Sequence, residues 1–270
     1  MADTLRLMGI LAHPDDESLG MGGAFARYAR EGVETFLITA TRGERGRFRD
    51  LRGEARPPMP VVARAREGEL RAAARVLGVR EVHFLDYVDG DLDRAEPAEA
   101  IARIVGHLRR LNPQVVVTFA PDGAYGHPDH IAISQFTTAA IVAAADPAFP
   151  APGAPPHAVA KLYYLAWTRA KWDAYQAAFK QLATTVDGVE RRATPWPDWA
   201  ITTVVDTAAY WAVAWEAISC HETQLAIYTK LADLPPEYHR SLWGTQEFYR
   251  AFSLVNGGRK RETDLFEGLR

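Results

Sequence analysis

Cysteine is almost absent. Cys220 stands alone among 270 residues, so no internal disulfide can form and a cysteine-rich zinc site is excluded. Its neighbours, Ala217-Ile218-Ser219, suit a packed helix and predict a buried, inert thiol. Long apolar runs are missing too. None approaches the roughly eighteen consecutive apolar residues that a spanning helix needs. The first apolar stretch is too short for a secretory signal and runs into charge, so the expected compartment is the cytoplasm. There is no long basic block, and the formal net charge is −3. A general electrostatic attraction to nucleic acid therefore does not follow.

What is there suits a globular protein. Hydrophobic residues make up 48% of the chain and charged residues 24%, enough to bury a core without staples. Apolar and β-branched runs at residues 5–12, 33–41, 81–86 and 114–120 read as strands. Stretches at 19–30, 61–77, 97–111 and 129–145 read as the helices between them, with Gly32 and Gly78 as terminators. Val115-Val116-Val117 is the continuous apolar run of a strand covered on both faces. Beyond it, strands are expected at 159–167 and 201–205, and helices at 171–182 and 210–231. The alternation predicts an α/β, Rossmann-like, mostly parallel sheet flanked by helices, a three-layer sandwich. One domain is expected over 1–270: a catalytic core at 1–145, then substrate-side loops, strands and C-terminal helices at 146–270.

Two loops carry the chemistry. The first strand runs into Ala12-His13-Pro14-Asp15-Asp16-Glu17, and the fourth into Asp122-Gly123-Ala124-Tyr125-Gly126-His127-Pro128-Asp129-His130. In a parallel sheet both loops fall on the same edge, where α/β proteins place their sites. His13 and His130 can each give a nitrogen and Asp16 an oxygen, the minimum for a catalytic metal with an open position. Two histidines and a carboxylate suit zinc and equally ferrous iron. A metal lowers the pKa of bound water from about 15.7 to about 7 in good cases, so a plain carboxylate, Asp15, suffices as general base. His127 can face a developing oxyanion, and Asp129 is expected to hydrogen-bond His127 and raise its pKa. These are the roles of hydrolysis at a carbonyl.

The paired motifs resemble those of the PIG-L/LmbE-type metal-dependent deacetylases. Thr41-Arg42-Gly43-Glu44-Arg45-Gly46 is similar to that family's Gly-Glu loop, Arg66-Glu67-Gly68-Glu69-Leu70 to its Arg-x-x-Glu-Leu helix, and His221-Glu222-Thr223-Gln224 to its His-x-Ser/Thr-Gln element. The resemblance implies zinc-dependent removal of acetyl groups from N-acetylglucosamine-type amines. It implies His13, Asp16 and His130 as metal ligands, Asp15 as base, and His127 with Asp129 as oxyanion stabiliser and partner. It further implies Tyr125 as a mobile loop tyrosine that assists the carbonyl, and Arg66 and Glu44 as sugar contacts. The partner expected is a small N-acetylated sugar or conjugate, without nucleic acid or membrane insertion; a homo-oligomer is compatible with the sequence.

Other readings compete. An amidase acting on a sugar-thiol conjugate would use the same residues. A nucleotide-binding Rossmann-type module would need Gly-x-Gly-x-x-Gly after the first strand, where this chain puts acids that repel a pyrophosphate. A non-catalytic sugar-binding relative would not need Asp15 and His127. Trp196 and Trp199, in a Pro-rich turn, are candidates for a ring-stacking wall, and His221 for either helix packing or a rim contact. Glu17 is expected to hydrogen-bond a ligand or cap the following helix.

Overall fold

The computed structural model describes residues 4–48, 56–151, 154–179, 183–186, 188–258 and 260–270. Five strands come as expected: Arg6–Leu11 (β1), Glu34–Thr41 (β2), Glu81–Tyr87 (β3), Val115–Thr118 (β4) and Lys161–Leu165 (β5). β1 pairs in parallel with β2 and with β4, β2 with β3, and β4 with β5. Apart from Arg6, every residue of β1 and β4 is buried, as a parallel sheet covered on both faces requires. Two further strands, Thr203–Asp206 (β8) and Thr245–Ser253 (β9), add antiparallel to β5, giving the order β3-β2-β1-β4-β5-β9-β8. Ala183–Val186 (β6) and Val189–Arg192 (β7) form a separate hairpin.

The helices are Asp16–Arg30 (α1), Met59–Leu77 (α2), Pro97–Leu111 (α3), Pro128–Ala145 (α5), Arg169–Phe179 (α6), Trp211–Ser219 (α7), Leu225–Ala232 (α8) and Pro236–Trp243 (α9), with one turn, Gly123–Gly126 (α4), before α5. α1, α2 and α7 pack together, and α3 packs on α5. Among the described residues no helix is long and apolar enough to cross a membrane. The chain leaves β1 toward β2 and β3, then returns to the other side of β1 with β4. The reversal opens a crevice at the carboxyl ends of β1 and β4, between the two motif loops.

Three expectations change. α1 begins at Asp16, so Asp16 and Glu17 lie in its first turn. The single helix expected over 210–231 is two helices, α7 and α8, parted by a turn at 220–224. Cys220 on that turn is half-buried, with its thiol on the Glu216 carbonyl. The strand β9 has no counterpart in the sequence reading. Part of the expected loop at 42–60, residues 49–55, lies outside the described residues, as does Arg259 of the basic tail patch.

Candidate active site

His13 and Asp16 lie at the junction of β1 and α1, and His130 in the first turn of α5. His13 Nδ1 is 3.2 Å from His130 Nε2 and 3.6 Å from Asp16 Oδ2; His130 Nε2 is 3.6 Å from Asp16 Oδ1. All three residues are buried and meet as a possible metal-holding group. The remaining atoms of the three are each engaged elsewhere. Asp16 Oδ2 accepts the amide N–H groups of Ala12 and His13. His130 Nδ1 faces the Gly123 carbonyl at 3.3 Å, which fixes its proton there and leaves the Nε2 lone pair inward. His13 Nε2 lies 2.9 Å from Asp129 Oδ2 and 3.2 Å from Asp89 Oδ1, which does the same for His13 Nδ1.

This donor set fits a divalent metal. Tetrahedral zinc with bonds of about 2.0–2.1 Å to nitrogen puts neighbouring donors roughly 3.3 Å apart. Two imidazole lone pairs facing each other at 3.2 Å repel unless a cation or a proton lies between them. Burial lowers the pKa of His130 to about 3, which keeps it neutral. Burial also opposes charge on His13, but Asp129, Asp16 and Asp89 outweigh it and raise its pKa well above the usual value. A metal and a proton thus compete for His13 Nδ1. Burial would raise the Asp16 pKa, yet His130 and His13 draw it down to about 2, so the carboxylate is ionised.

Asp15 sits beside this centre in a left-handed backbone conformation, φ 110°, ψ −25°. For a residue other than glycine this costs on the order of 1–3 kcal/mol and persists only where the surroundings hold it. Glu17 Oε2 accepts its amide N–H at 3.0 Å, and Arg66 Nη2 donates to its Oδ2 at 3.1 Å. Arg66, 3% exposed, also donates to the carbonyls of Pro14 and Gly43. The loop after β2 makes room for that guanidinium. A Cβ at Gly43 or Gly46 would come within 2.2 Å or 2.1 Å of Arg66 Nη1, so the Gly-Glu-Arg-Gly spacing is a sleeve for one arginine.

His127 caps α5. Its Nδ1 accepts the Asp129 amide N–H at 3.2 Å, so a neutral ring carries its proton on Nε2. The ring stacks 4.7 Å from His130 and stands edge-on to His13 at 4.8 Å. Burial, then His13, lowers its pKa. Here the sequence expectation is corrected: the Asp129 carboxylate does not bond His127. It takes His13 Nε2 and the amides of Gly90 and Leu92, and the pKa of His127 falls. Tyr125 stands edge-on to both His127 and His130, and burial, then Asp16, raises its phenol pKa.

A cavity of about 470 Å³ opens over this cluster. Asp15, Asp89, Tyr125 and His127 are among its lining residues. Leu165, Trp167, Lys171, Tyr175, Leu242 and Glu247 also line it, with Lys171 Nζ 2.6 Å from Glu247 Oε2. Part of the lining therefore comes from residues beyond 146. Arg66 lies in the wall, but Glu44 does not; its Oε1 accepts the Asp89 amide instead. Trp196 and Trp199 are not in the wall either. Trp196 donates to Asp122 and packs on Tyr249, and Trp199 is 86% exposed. His221 is fully buried against Glu17 rather than at the rim. Asp89 is the residue that sequence reasoning missed. It follows β3 on the same sheet edge, so the argument applied to the other strand ends would have found it.

The topology defines an α/β protein, with a His-Asp-His group that could hold a metal ion at the switch point of its sheet. The chain belongs to the PIG-L family: the profile of that family, GlcNAc-PI de-N-acetylase, matches residues 8–141. It is 36% identical to the 1D-myo-inositol 2-acetamido-2-deoxy-alpha-D-glucopyranoside deacetylase of Kineococcus radiotolerans, over 98% of this chain and 83% of that one. Among solved structures it is similar to N,N'-diacetylchitobiose deacetylase from Pyrococcus horikoshii, with a TM-score of 0.69 and 20% identity over 92% of this chain and 84% of that one. It is also similar to the 4-carboxy-2-hydroxymuconate hydratase of Pseudomonas putida KT2440, with a TM-score of 0.71 and 19% identity over 94% and 99%. These two likenesses speak for the fold alone.

Proposed function

We propose that the chain is a zinc-dependent N-deacetylase that hydrolyses the acetamide of an N-acetylglucosamine-type glycoside. The observation that carries this is the buried His13–Asp16–His130 donor set with Asp15 in the cavity beside it and the proton-bearing Nε2 of His127 close by. The relative named above as a deacetylase of an N-acetylglucosaminyl inositol supplies the substrate class.

His13, Asp16 and His130 would hold a divalent metal, which would supply a lowered water pKa and polarisation of the amide carbonyl. Asp15, oriented by Arg66, accepts the proton of the attacking water and returns it to the amide nitrogen as the C–N bond breaks, releasing acetate and the free amine. His127 gives a hydrogen bond from Nε2 to the oxyanion that develops. Tyr125 stays protonated and adds a second donor. Asp129 and Asp89 hold the His13 ring through Nε2, so that Nδ1 faces inward. Arg66 acts on Asp15 and the loop backbone, and Glu44 on Asp89, rather than on sugar. Ferrous iron suits the same donors. Residues 1–270 act as one unit, the first half bringing the reacting groups and the second the wall for the rest of the substrate.

The test is acetate release from N-acetylglucosaminyl inositol and from N-acetylglucosamine, with and without chelator. Release that chelator abolishes and zinc restores is expected. Undiminished release after complete metal removal would refute the reading. His130→Ala is expected to lower bound metal on elemental analysis, and unchanged metal content would remove His130 as a ligand.

A further inference from the structure

The turn between α7 and α8 has no local cause. Residues 210–231 contain neither glycine nor proline, the residues that usually stop a helix. The turn is held by what its side chains reach. His221 Nε2 lies 2.7 Å from Glu17 Oε1, both residues fully buried. The other oxygen of Glu17 accepts the Asp15 amide N–H at 3.0 Å. Two residues further on, Thr223 donates its amide N–H and its hydroxyl to Glu69, at 2.8 Å and 2.7 Å. Glu69 lies on α2 one turn beyond Arg66, and Arg66 donates to Asp15 Oδ2. One chain of contacts therefore runs from the turn through Glu17 to the Asp15 amide, and a second contact anchors the turn to Glu69 on α2, the helix that carries Arg66 to the Asp15 carboxylate.

The His221 ring is poorly explained by packing. Its Nδ1 is buried without a hydrogen-bond partner, which is unfavourable. An apolar ring of similar size would avoid that cost, so the contact worth keeping is Nε2 with Glu17. Asp15, at φ 110°, is the kind of residue that needs holding from more than one side.

We propose that His221 and Thr223 are positioning residues that act through Glu17 and through Glu69 and Arg66 to hold Asp15 in its left-handed conformation, with its carboxylate in the cavity. This rests on the reading of Asp15 as general base. Neither residue touches substrate.

The test is a double-mutant cycle on the zinc-loaded enzyme with N-acetylglucosaminyl inositol, using His221→Phe, His221→Gln, Asp15→Asn and His221→Phe with Asp15→Asn. His221→Phe is expected to lower kcat about tenfold or more, since small misplacements of a reacting group are costly, with KM and metal content within about twofold of the parent. His221→Gln, whose amide can donate to Glu17, is expected to recover most of the loss. In the Asp15→Asn background, His221→Phe is expected to cost less than about twofold, because the group it acts through is already disabled. Equal fold-losses in both backgrounds would overturn the positioning role and leave Asp15 as base. Loss of metal by His221→Phe would also overturn it. Full activity of Asp15→Asn would remove the base and the proposal together. If His221→Phe does not fold, Thr223→Val removes the hydroxyl bond to Glu69 and leaves the amide one, and the same cycle with Asp15→Asn decides by the same criterion.

Discussion

Asp15 and Asp129 are both acids beside a histidine, and the structure sends them to different tasks. Asp15 is held in the cavity by Arg66, so Asp15→Asn is expected to keep its zinc and lose about 10²–10⁴-fold in kcat. Elemental analysis beside steady-state kinetics checks both halves, and metal loss would recast Asp15 as a ligand. Asp129 is fully buried on His13 Nε2 and two amides. Asp129→Asn is expected to weaken zinc about 10–100-fold, as removal of a partner behind a ligating histidine does. Competition against a chelator of known affinity reads this out, and unchanged affinity would return Asp129 to His127. The sequence made His13, Asp16 and His130 legible because donor type and strand-end position suffice to group them. It misled on Asp129 because the nearest histidine in the chain is not the nearest in space: the carboxylate's partner is 116 positions away.

At the scale of elements, the parallel half of the sheet could be read directly. Its inner strands β1 and β4 are apolar runs, buried apart from Arg6, so pattern and burial agree there. The elements that escaped are those whose shape is set from a distance. β9 reads as Thr-Gln-Glu-Phe-Tyr-Arg-Ala-Phe-Ser, too polar for an inner strand. Yet Gln246 bonds the Ala24 amide and the Gly20 carbonyl of α1, and Glu247 pairs with Lys171. The turn at 220–224 is fixed by Glu17 and Glu69 in the same way. The short α4 is a third case. Gly123 has φ +64°, a Cβ there would lie 2.7 Å from Ile131 Cγ1, and its carbonyl holds His130 Nδ1. Gly123→Ala is expected to lower stability by about 1–3 kcal/mol and to weaken zinc as well, because the His130 ring loses its anchor. Urea unfolding with and without added zinc separates the two; a stability loss with unchanged zinc affinity would mean that the Gly123 carbonyl does not orient the ring.

Across the whole molecule, the antiparallel edge and the C-terminal segment are joined at one buried carboxylate. Glu262, 1% exposed, receives Lys161 Nζ at 2.6 Å, Tyr163 OH at 2.7 Å, Thr203 Oγ1 at 2.7 Å and Arg250 Nη1 at 2.9 Å. These groups come from β5, β8 and β9, so the charge ties the added strands to the parallel sheet. Burial alone would raise the Glu262 pKa, but Lys161 and the hydroxyl and amide donors bring it down from 4.5 to about 2. A carboxyl with a depressed folded-state pKa stabilises fully above its unfolded value and loses that contribution as pH falls toward the folded one. Glu262 should therefore supply on the order of 3 kcal/mol at pH 7, of which about 2 kcal/mol is gone by pH 3. Asp16 also has a depressed pKa, so the parent's acid sensitivity is a sum. The contribution of Glu262 is isolated by difference. Glu262→Gln keeps the shape but not the titration and leaves Lys161, itself fully buried, without its counter-charge. Its unfolding free energy is expected to lie several kcal/mol below the parent at pH 7, and the gap should narrow by about 2 kcal/mol at pH 3. Denaturant unfolding at the two pH values measures both quantities. A gap that stays constant would mean that Glu262 holds the edge by packing and neutral hydrogen bonds, not by its charge.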